Sequence, residues 1–114
     1  MIKAGARYRI VLVTCASIAE ARRIAQHVVE RKLAACANIV PRVESIYRWK
    51  GKVERAKETL LMIKTTAARL RKLESEVKRL HSYDVPEFVA IPFMGGSREY
   101  LAWIAENTKP ADKS

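Results

Sequence analysis

The sequence predicts one α+β domain, in which an antiparallel sheet carries its helices on one face. The chain has 114 residues, the length of a single domain. Its apolar patterns follow the order strand, helix, strand, strand, helix, strand, short helix. Hydrophobic residues make up 49% and charged residues 30%, a globular composition that argues against disorder. We therefore predict one domain over residues 1–114, with a core of about 8–108 and frayed ends at 1–6 and 109–114.

The first predicted strand and helix occupy the first third of the chain. The strand, Tyr8–Cys15, is apolar at every position over 10–13, so both of its faces need cover. Ser17 and Glu20 have the spacing of a capping box, which marks the start of a helix. Apolar residues at helical spacing then extend the predicted helix from 18 to about 34.

A long hairpin follows this helix. Its strands are predicted over 36–50 and 53–65, and Gly51 at the turn between them supplies a residue that tolerates positive φ. Pro41 has no N–H to donate to a sheet, so the first of these strands is an edge strand or bends at Pro41.

The second half of the chain repeats the helix and strand pattern. A second helix is predicted over 67–81, capped by Thr65 or Thr66, because leucine and valine recur there at spacings of three and four. A short strand over 87–92 ends before Gly95 and Gly96. Ser97 then caps a last helix over 98–106.

This element order is the split βαβ pattern of ferredoxin-like domains. Right-handed crossovers place the fourth predicted strand beside the first, followed by the third and then the second, with all neighbours antiparallel. Three of these strands are apolar on both faces, whereas the helices cover only one. The open sheet face therefore predicts self-association of the chain.

The same topology gathers reactive side chains at the end of the sheet where the first strand finishes. We expect Cys15, Glu58, His81 and Glu87 there, with Tyr83 beside them and Trp49 on the overhanging hairpin. A thiol and an imidazole favour copper or zinc over magnesium or calcium. The alternative interpretation is that Cys15 is a small buried strand residue and His81 a polar helix end.

The two cysteines indicate the compartment. Cys15 ends the first strand and Cys36 begins the second, and these two strands run in the same direction, so the thiols lie at opposite ends of the sheet. They are predicted about 20 Å apart, too far for a disulfide. Free thiols are typical of the cytoplasm. The apolar run at 10–13 is too short for a signal peptide, and no stretch approaches the ~20 apolar residues of a membrane span.

Several function classes find little support in the sequence. No catalytic triad can be assembled around His27 or His81, and there is no Walker loop or dinucleotide-binding glycine motif, so we predict that the protein is not an enzyme. The net charge of +10 suggests nucleic acid as a partner. However, the central strands lack the aromatic residues of an RNA-binding sheet, and the basic residues are dispersed, so nucleic-acid binding is not favoured.

Several sequence motifs follow one another along nearly the whole chain: KLAACANI at 32–39, IYRWKGKVE at 46–54, KT at 64–65, HSYDVPE at 81–87 and YLAWI at 100–104. In this order they resemble the CutA family of divalent-cation tolerance proteins. The resemblance implies a ferredoxin-like homotrimer whose sheets pack inward and whose hairpin reaches a neighbouring subunit. It also implies metal binding around Cys15 and a histidine pair at the end of the second helix. Here only His81 matches that pair, because Leu80 stands at the other position.

The resemblance also assigns residues around the clefts between subunits. Glu58 joins Cys15 and His81 as a predicted metal ligand. The predicted cleft residues are Lys64, Tyr83, Glu87 and Trp49, and the predicted interface residues are Tyr47, Trp49 and Trp103.

Together with this resemblance, the sequence predicts a cytoplasmic homotrimer, and the resemblance implies that it acts in tolerance of copper or another divalent cation. It would bind a metal or small ligand at the clefts between subunits and need no obligatory cofactor. The rival hypothesis is a signalling or scaffold trimer that acts through a protein partner without a functional metal. A trimer would carry three times +10, so it should repel cations except where Glu58 and Glu87 reverse the local field.

Overall fold

The computed structural model of the chain describes residues 1–3 and 5–110, which form three α-helices and two sheets. The predicted frayed segment 109–114 lies partly outside these residues. The elements, in chain order, are β1 (Ile2–Lys3), β2 (Tyr8–Cys15), α1 (Ile18–Glu30), β3 (Cys36–Trp49), β4 (Lys52–Thr66), α2 (Leu70–Leu80), β5 (Val89–Pro92), β6 (Gly95–Gly96) and α3 (Arg98–Glu106).

The main sheet has the strand order β3-β4-β2-β5, and every neighbouring pair is antiparallel. The predicted α+β class with an antiparallel sheet is therefore confirmed. Val11 and Val13 of β2 share one face with Leu61 and Ile63 of β4, and all four are fully buried in one apolar cluster with residues of α1 and α2. That cluster is the core. It includes Cys15 and therefore holds the end of β2 in position.

Among the described residues, α3 covers the opposite face of the sheet at the Tyr8 end, where Tyr8 packs with Leu101 and Ile104. Farther along that face, the apolar side chains are only partly buried or exposed. Leu12 lies opposite Met62 on β4 and opposite Val89 on β5, so these three side chains share that face. All three are only partly buried or exposed, and Val89 is 48% exposed. We call this surface the open face; its apolar members are Ile10, Leu12, Leu60, Met62, Val89 and Ile91.

Helix α1 ends four residues before the predicted position 34. The Lys32 N–H donates to the Val29 carbonyl at 3.1 Å, and the Leu33 N–H donates to the Val28 carbonyl at 2.9 Å. This pair of hydrogen bonds is a Schellman motif, with Lys32 in the left-handed region at φ 58°. The helix stops there because Leu33 turns inward and is buried, which the apolar spacing alone did not reveal.

Lys32→Gly is expected to raise the free energy of unfolding by about 0.5–1 kcal/mol. Glycine adopts positive φ without the steric cost that a Cβ imposes. We expect this gain to exceed the greater conformational entropy that glycine loses on folding. Urea denaturation measures the change. Arg31→Gly is the matched control. Arg31 has φ −84°, so glycine at this position should lower the free energy of unfolding. Equal effects at both positions would contradict this explanation.

The β3–β4 hairpin bends where Pro41 interrupts its ladder. Val40 pairs with Leu60 and Val43 with Glu58, so Pro41 and Arg42 together oppose one residue of β4 in a bulge. The bend predicted at Pro41 is thus confirmed. At the tip, Lys50 and Gly51 both have positive φ, 50° and 81°, the requirement of a two-residue type I′ turn.

The predicted side-chain cap of the second helix was wrong, and the described N-terminal residues are paired. Thr66 precedes a 3-10 turn (Ala67–Arg69) without a side-chain capping bond, and the Thr65 hydroxyl instead donates to the Leu33 carbonyl at 2.7 Å. Ile2 and Lys3 were expected to fray, yet they pair with β6. A Cβ at Gly95 would lie 2.6 Å from the Ile2 carbonyl oxygen, so glycine is what permits this approach.

Candidate functional site

Three side chains with metal-ligating atoms converge at the end of β2. One ligand atom each from Cys15, Glu20 and His81 lie within 4.8 Å of one another. Cys15 is the last residue of β2, Glu20 lies in the first turn of α1, and His81 caps the end of α2. We call these three residues the Cys15 cluster. It brings together two of the three predicted metal ligands and adds Glu20, to which sequence reasoning gave only a capping role.

The Cys15 thiol is fully buried and protonated near neutral pH. Burial raises its pKa to about 12, and the carboxylates of Glu20 and Glu58 add to this because they repel a thiolate, whereas Arg23 opposes it. A cation that binds here must displace the thiol proton.

Both ring nitrogens of His81 already have hydrogen-bond partners. Nε2 lies 2.8 Å from the Thr14 carbonyl oxygen, and because a carbonyl only accepts, Nε2 donates. The Tyr83 N–H in turn donates to Nδ1 at 3.1 Å. The neutral tautomer with the proton on Nε2 is therefore fixed by the strand on one side and by the turn after α2 on the other.

Glu20 joins the start of α1 to the turn after α2. One carboxylate oxygen accepts from the Ala16 N–H at 3.0 Å, and the other accepts from the Ser82 N–H at 2.8 Å. Burial alone would raise the pKa of this carboxyl, but hydrogen bonds from Ser82 and Ala16 outweigh burial and hold the pKa below its usual value. Glu20 is therefore a buried anion that satisfies two backbone donors.

A pocket of about 620 Å³ opens next to the Cys15 cluster, between the β3–β4 hairpin and the turn after α2. Its lining combines three carboxylates with three aromatic rings. The acidic residues are Glu58, Asp84 and Glu87, and the aromatic residues are Tyr47, Trp49 and Tyr83. The Tyr83 hydroxyl donates to Glu58 Oε2 at 2.7 Å, so Glu58 belongs to this pocket rather than to the Cys15 cluster.

The other predicted site and interface residues separate into two groups. Tyr83, Glu87, Trp49 and Tyr47 line the pocket together. Lys64 lies elsewhere in the single chain, where its ammonium nitrogen is 3.3 Å from the Tyr100 hydroxyl. Trp103 stacks on Tyr100 at 5.5 Å between ring centroids and is 43% exposed.

Cys15 is expected to resist alkylation by iodoacetamide at pH 8 in the native protein and to react fully after denaturation. With a pKa of about 12, only on the order of one thiol in ten thousand is ionised at that pH, and the thiolate is the nucleophile. Peptide mass spectrometry after timed labelling measures the modification. Rapid modification of native Cys15 would contradict the buried, neutral thiol described above.

The two thiols are both free, in agreement with the predicted absence of a disulfide. Among the helices of the described residues, none combines the length and the apolar composition needed to cross a membrane.

Comparison with known proteins decides the family. The family model described as "CutA1 divalent ion tolerance protein" matches residues 9–107. The chain belongs to the CutA family of divalent-cation tolerance proteins. The match spans β2 to the end of α3, so it includes both the Cys15 cluster and the pocket. The resemblance stated from the sequence motifs is thus confirmed.

Individual relatives agree with this assignment. The "Divalent-cation tolerance protein CutA" of Thermus thermophilus is 54% identical over 99 residues, which are 87% of this chain and 96% of the relative. A crystal structure of CutA1 from Oryza sativa superposes with a TM-score of 0.89 at 42% identity, covering 94% of this chain and 98% of that one. A structure of CutA from Archaeoglobus fulgidus gives 0.87 at 40% identity, covering 90% and 99%.

Proposed function

We propose that this protein acts in divalent-cation tolerance as a ferredoxin-like homotrimer and that it binds a divalent cation at the Cys15 cluster. The observation that carries the proposal is the convergence of a thiol, an imidazole and a carboxylate within 4.8 Å in a chain of this family. Sulfur and nitrogen ligands favour copper or zinc. Glu58, the third ligand predicted from the sequence, borders the neighbouring pocket and adds negative charge from there.

The trimer is supported by the open face. Six large apolar side chains lie on one side of a sheet whose other side is packed on helices. Monomeric proteins rarely leave such a surface in water, and burial of each such side chain contributes about 1.5–3 kcal/mol. The exposed aromatic residues Tyr47, Trp49 and Trp103 extend the surface available to neighbouring subunits.

The donor set fits a thiophilic cation, and the hydrogen bonds of the cluster define what binding would displace. Cys15 would lose its proton, and His81 would free one nitrogen from the Thr14 carbonyl or from the Tyr83 N–H. Glu20 retains lone pairs beyond its two hydrogen bonds, because each carboxylate oxygen can accept more than one.

Calorimetric titration with zinc and with copper tests the metal proposal. The wild type is expected to bind, while Cys15→Ser and His81→Ala should each weaken binding tenfold or more, about 1.4 kcal/mol. Cys36→Ser is the matched control, since Cys36 is not in the Cys15 cluster and its removal should leave the affinity unchanged. Equal affinity in all four proteins would contradict a metal site at the Cys15 cluster.

A second candidate function is a signalling or scaffold trimer that acts through a protein partner. The hydrogen bonds to both nitrogens of His81 and both oxygens of Glu20 favour it, because they give the Cys15 cluster a purely structural role. An absence of zinc and copper binding, together with destabilisation by His81→Ala, would favour this candidate.

The remaining parts of the proposal concern compartment and chemistry. We place the protein in the cytoplasm, which the two free thiols support, and we propose that it is not an enzyme and needs no obligatory cofactor. Nucleic acid is the least favoured partner. A steeply salt-dependent shift of RNA or DNA in an electrophoretic assay would instead favour nucleic acid as a partner.

A further inference from the structure

We propose that the pocket beside the Cys15 cluster is a separate binding site for a small organic ammonium ion. The site is formed by the carboxylates of Glu58 and Glu87 and by the rings of Tyr47, Trp49 and Tyr83. It shares no residue with the Cys15 cluster. The inference therefore stands independently of whether the cluster binds a metal.

The charge of the pocket is opposite to the charge of the chain. The chain carries 22 basic and 12 acidic residues, yet three carboxylates and no basic side chain line this pocket within the part of the chain that the structure describes. Burial raises the pKa of Glu87, and the charge of Glu58 adds to this effect. A cation placed beside these two carboxylates would stabilise the ionised form of Glu87.

Glu58 has an oxygen that is free to contact a ligand. Its side chain is almost fully buried, at 9% exposure, and it borders the pocket. Oε2 accepts a hydrogen bond from the Tyr83 hydroxyl, whereas Oε1 accepts none from any of the described residues. The hydrogen bond from the Tyr83 hydroxyl keeps Oε2 occupied. A ligand with an N⁺–H or N⁺–CH₃ group would satisfy Oε1.

The aromatic rings and the size of the pocket indicate an organic cation rather than a bare ion. Ammonium groups are attracted to the faces of tryptophan and tyrosine rings. The Trp49 side chain is 51% exposed, and the Lys50 ammonium, 5.8 Å from its ring centroid, already makes this kind of contact with it. The volume of about 620 Å³ is typical of sites for small molecules and far exceeds what one metal ion occupies.

Choline and its neutral isostere 3,3-dimethylbutan-1-ol are the probes that test this proposal. The chain has two tryptophans, so Trp103→Phe leaves Trp49 as the single fluorescence reporter of the pocket. Choline chloride is titrated against sodium chloride at constant ionic strength. Choline is expected to change the Trp49 emission saturably and to bind at least tenfold more tightly than the isostere.

Variants complete the test. Glu58→Gln and Glu87→Gln are each expected to weaken choline binding at least tenfold, and Glu87 provides the second variant if Glu58→Gln does not fold. Glu99→Gln, an exposed carboxylate on α3 outside the pocket, should leave binding unchanged. The proposal is wrong if the isostere binds as tightly as choline, or if Glu87→Gln binds as the parent protein does.

Discussion

Glu20→Ala is expected to lower the free energy of unfolding by about 3–5 kcal/mol, the largest effect that we predict for one side chain. The carboxylate is 5% exposed and accepts from the N–H groups of Ala16 and Ser82. Alanine would leave both N–H groups without this partner at a partly buried position, and each hydrogen bond to a charged group contributes about 1.5–3 kcal/mol. The variant would thus lose the hydrogen bonds that link the start of α1 to the turn next to His81.

Urea denaturation at one fixed protein concentration measures this effect, because an oligomer's apparent stability depends on concentration. Glu30→Ala is the matched control on the same helix; Glu30 is exposed, and we expect a change below about 0.5 kcal/mol. If Glu20→Ala were as mild as Glu30→Ala, Glu20 would not hold the two elements together.

The pH dependence of the same residue gives a second readout. The pKa of Glu20 is lower in the folded chain than its usual value, so its contribution is complete above about pH 4.5 and is lost as the pH falls further. Glu20→Gln, which cannot titrate, is expected to lose less stability than the wild type over that acidic range.

Leu12→Asp is expected to convert the proposed trimer to monomers. Leu12 lies in the middle of the open face between Met62 and Val89, and an unpaired carboxylate buried in an apolar interface costs several kcal/mol per subunit. Light scattering should show the mass fall from three times 12.9 kDa, or 38.7 kDa, to 12.9 kDa. Val29→Asp is the control, since Val29 is 39% exposed on α1, away from the open face. A wild-type protein of 12.9 kDa would contradict the trimer.

The sequence was informative wherever periodicity determined structure. The apolar runs of β2 and β4, the Ser17 and Ser97 caps and the bend at Pro41 each depend on residues that are close in the chain. Local chemistry is sufficient for such features, so they were predicted closely. The open face was inferred from the same runs, since strands that are apolar on both sides need two layers of cover.

Two of the three members of the Cys15 cluster, Cys15 and His81, were predicted from the sequence. Glu20 was missed because its decisive contact is with a residue far away in the chain. Glu20 belongs to a capping box, and that local motif fully explained the residue until the structure placed Ser82 beside it, 62 positions away. Glu58 shows the reverse case, since it lies near the expected end of the sheet but its side chain accepts a hydrogen bond from Tyr83 in the pocket. A spacing rule does not reveal which of two neighbouring sites a side chain enters.

The end of α1 and the β1–β6 pair show a different limit. Lysine is an unusual residue for positive φ, so nothing in the sequence marked Lys32 as the end of a helix. The β1–β6 pairing depends on the absence of a Cβ at Gly95. From the sequence alone, this glycine indicated only the end of a strand.

X-ray absorption at the zinc edge of the zinc-loaded protein tests the central claim most directly, because it reports the atoms bound to the metal. If the Cys15 cluster binds the cation, the spectrum should contain one sulfur at about 2.3 Å per zinc in the wild type and in Cys36→Ser. This sulfur should be absent in Cys15→Ser. A zinc shell of only oxygen and nitrogen in the wild type, or a sulfur that persists in Cys15→Ser, would contradict the proposed site.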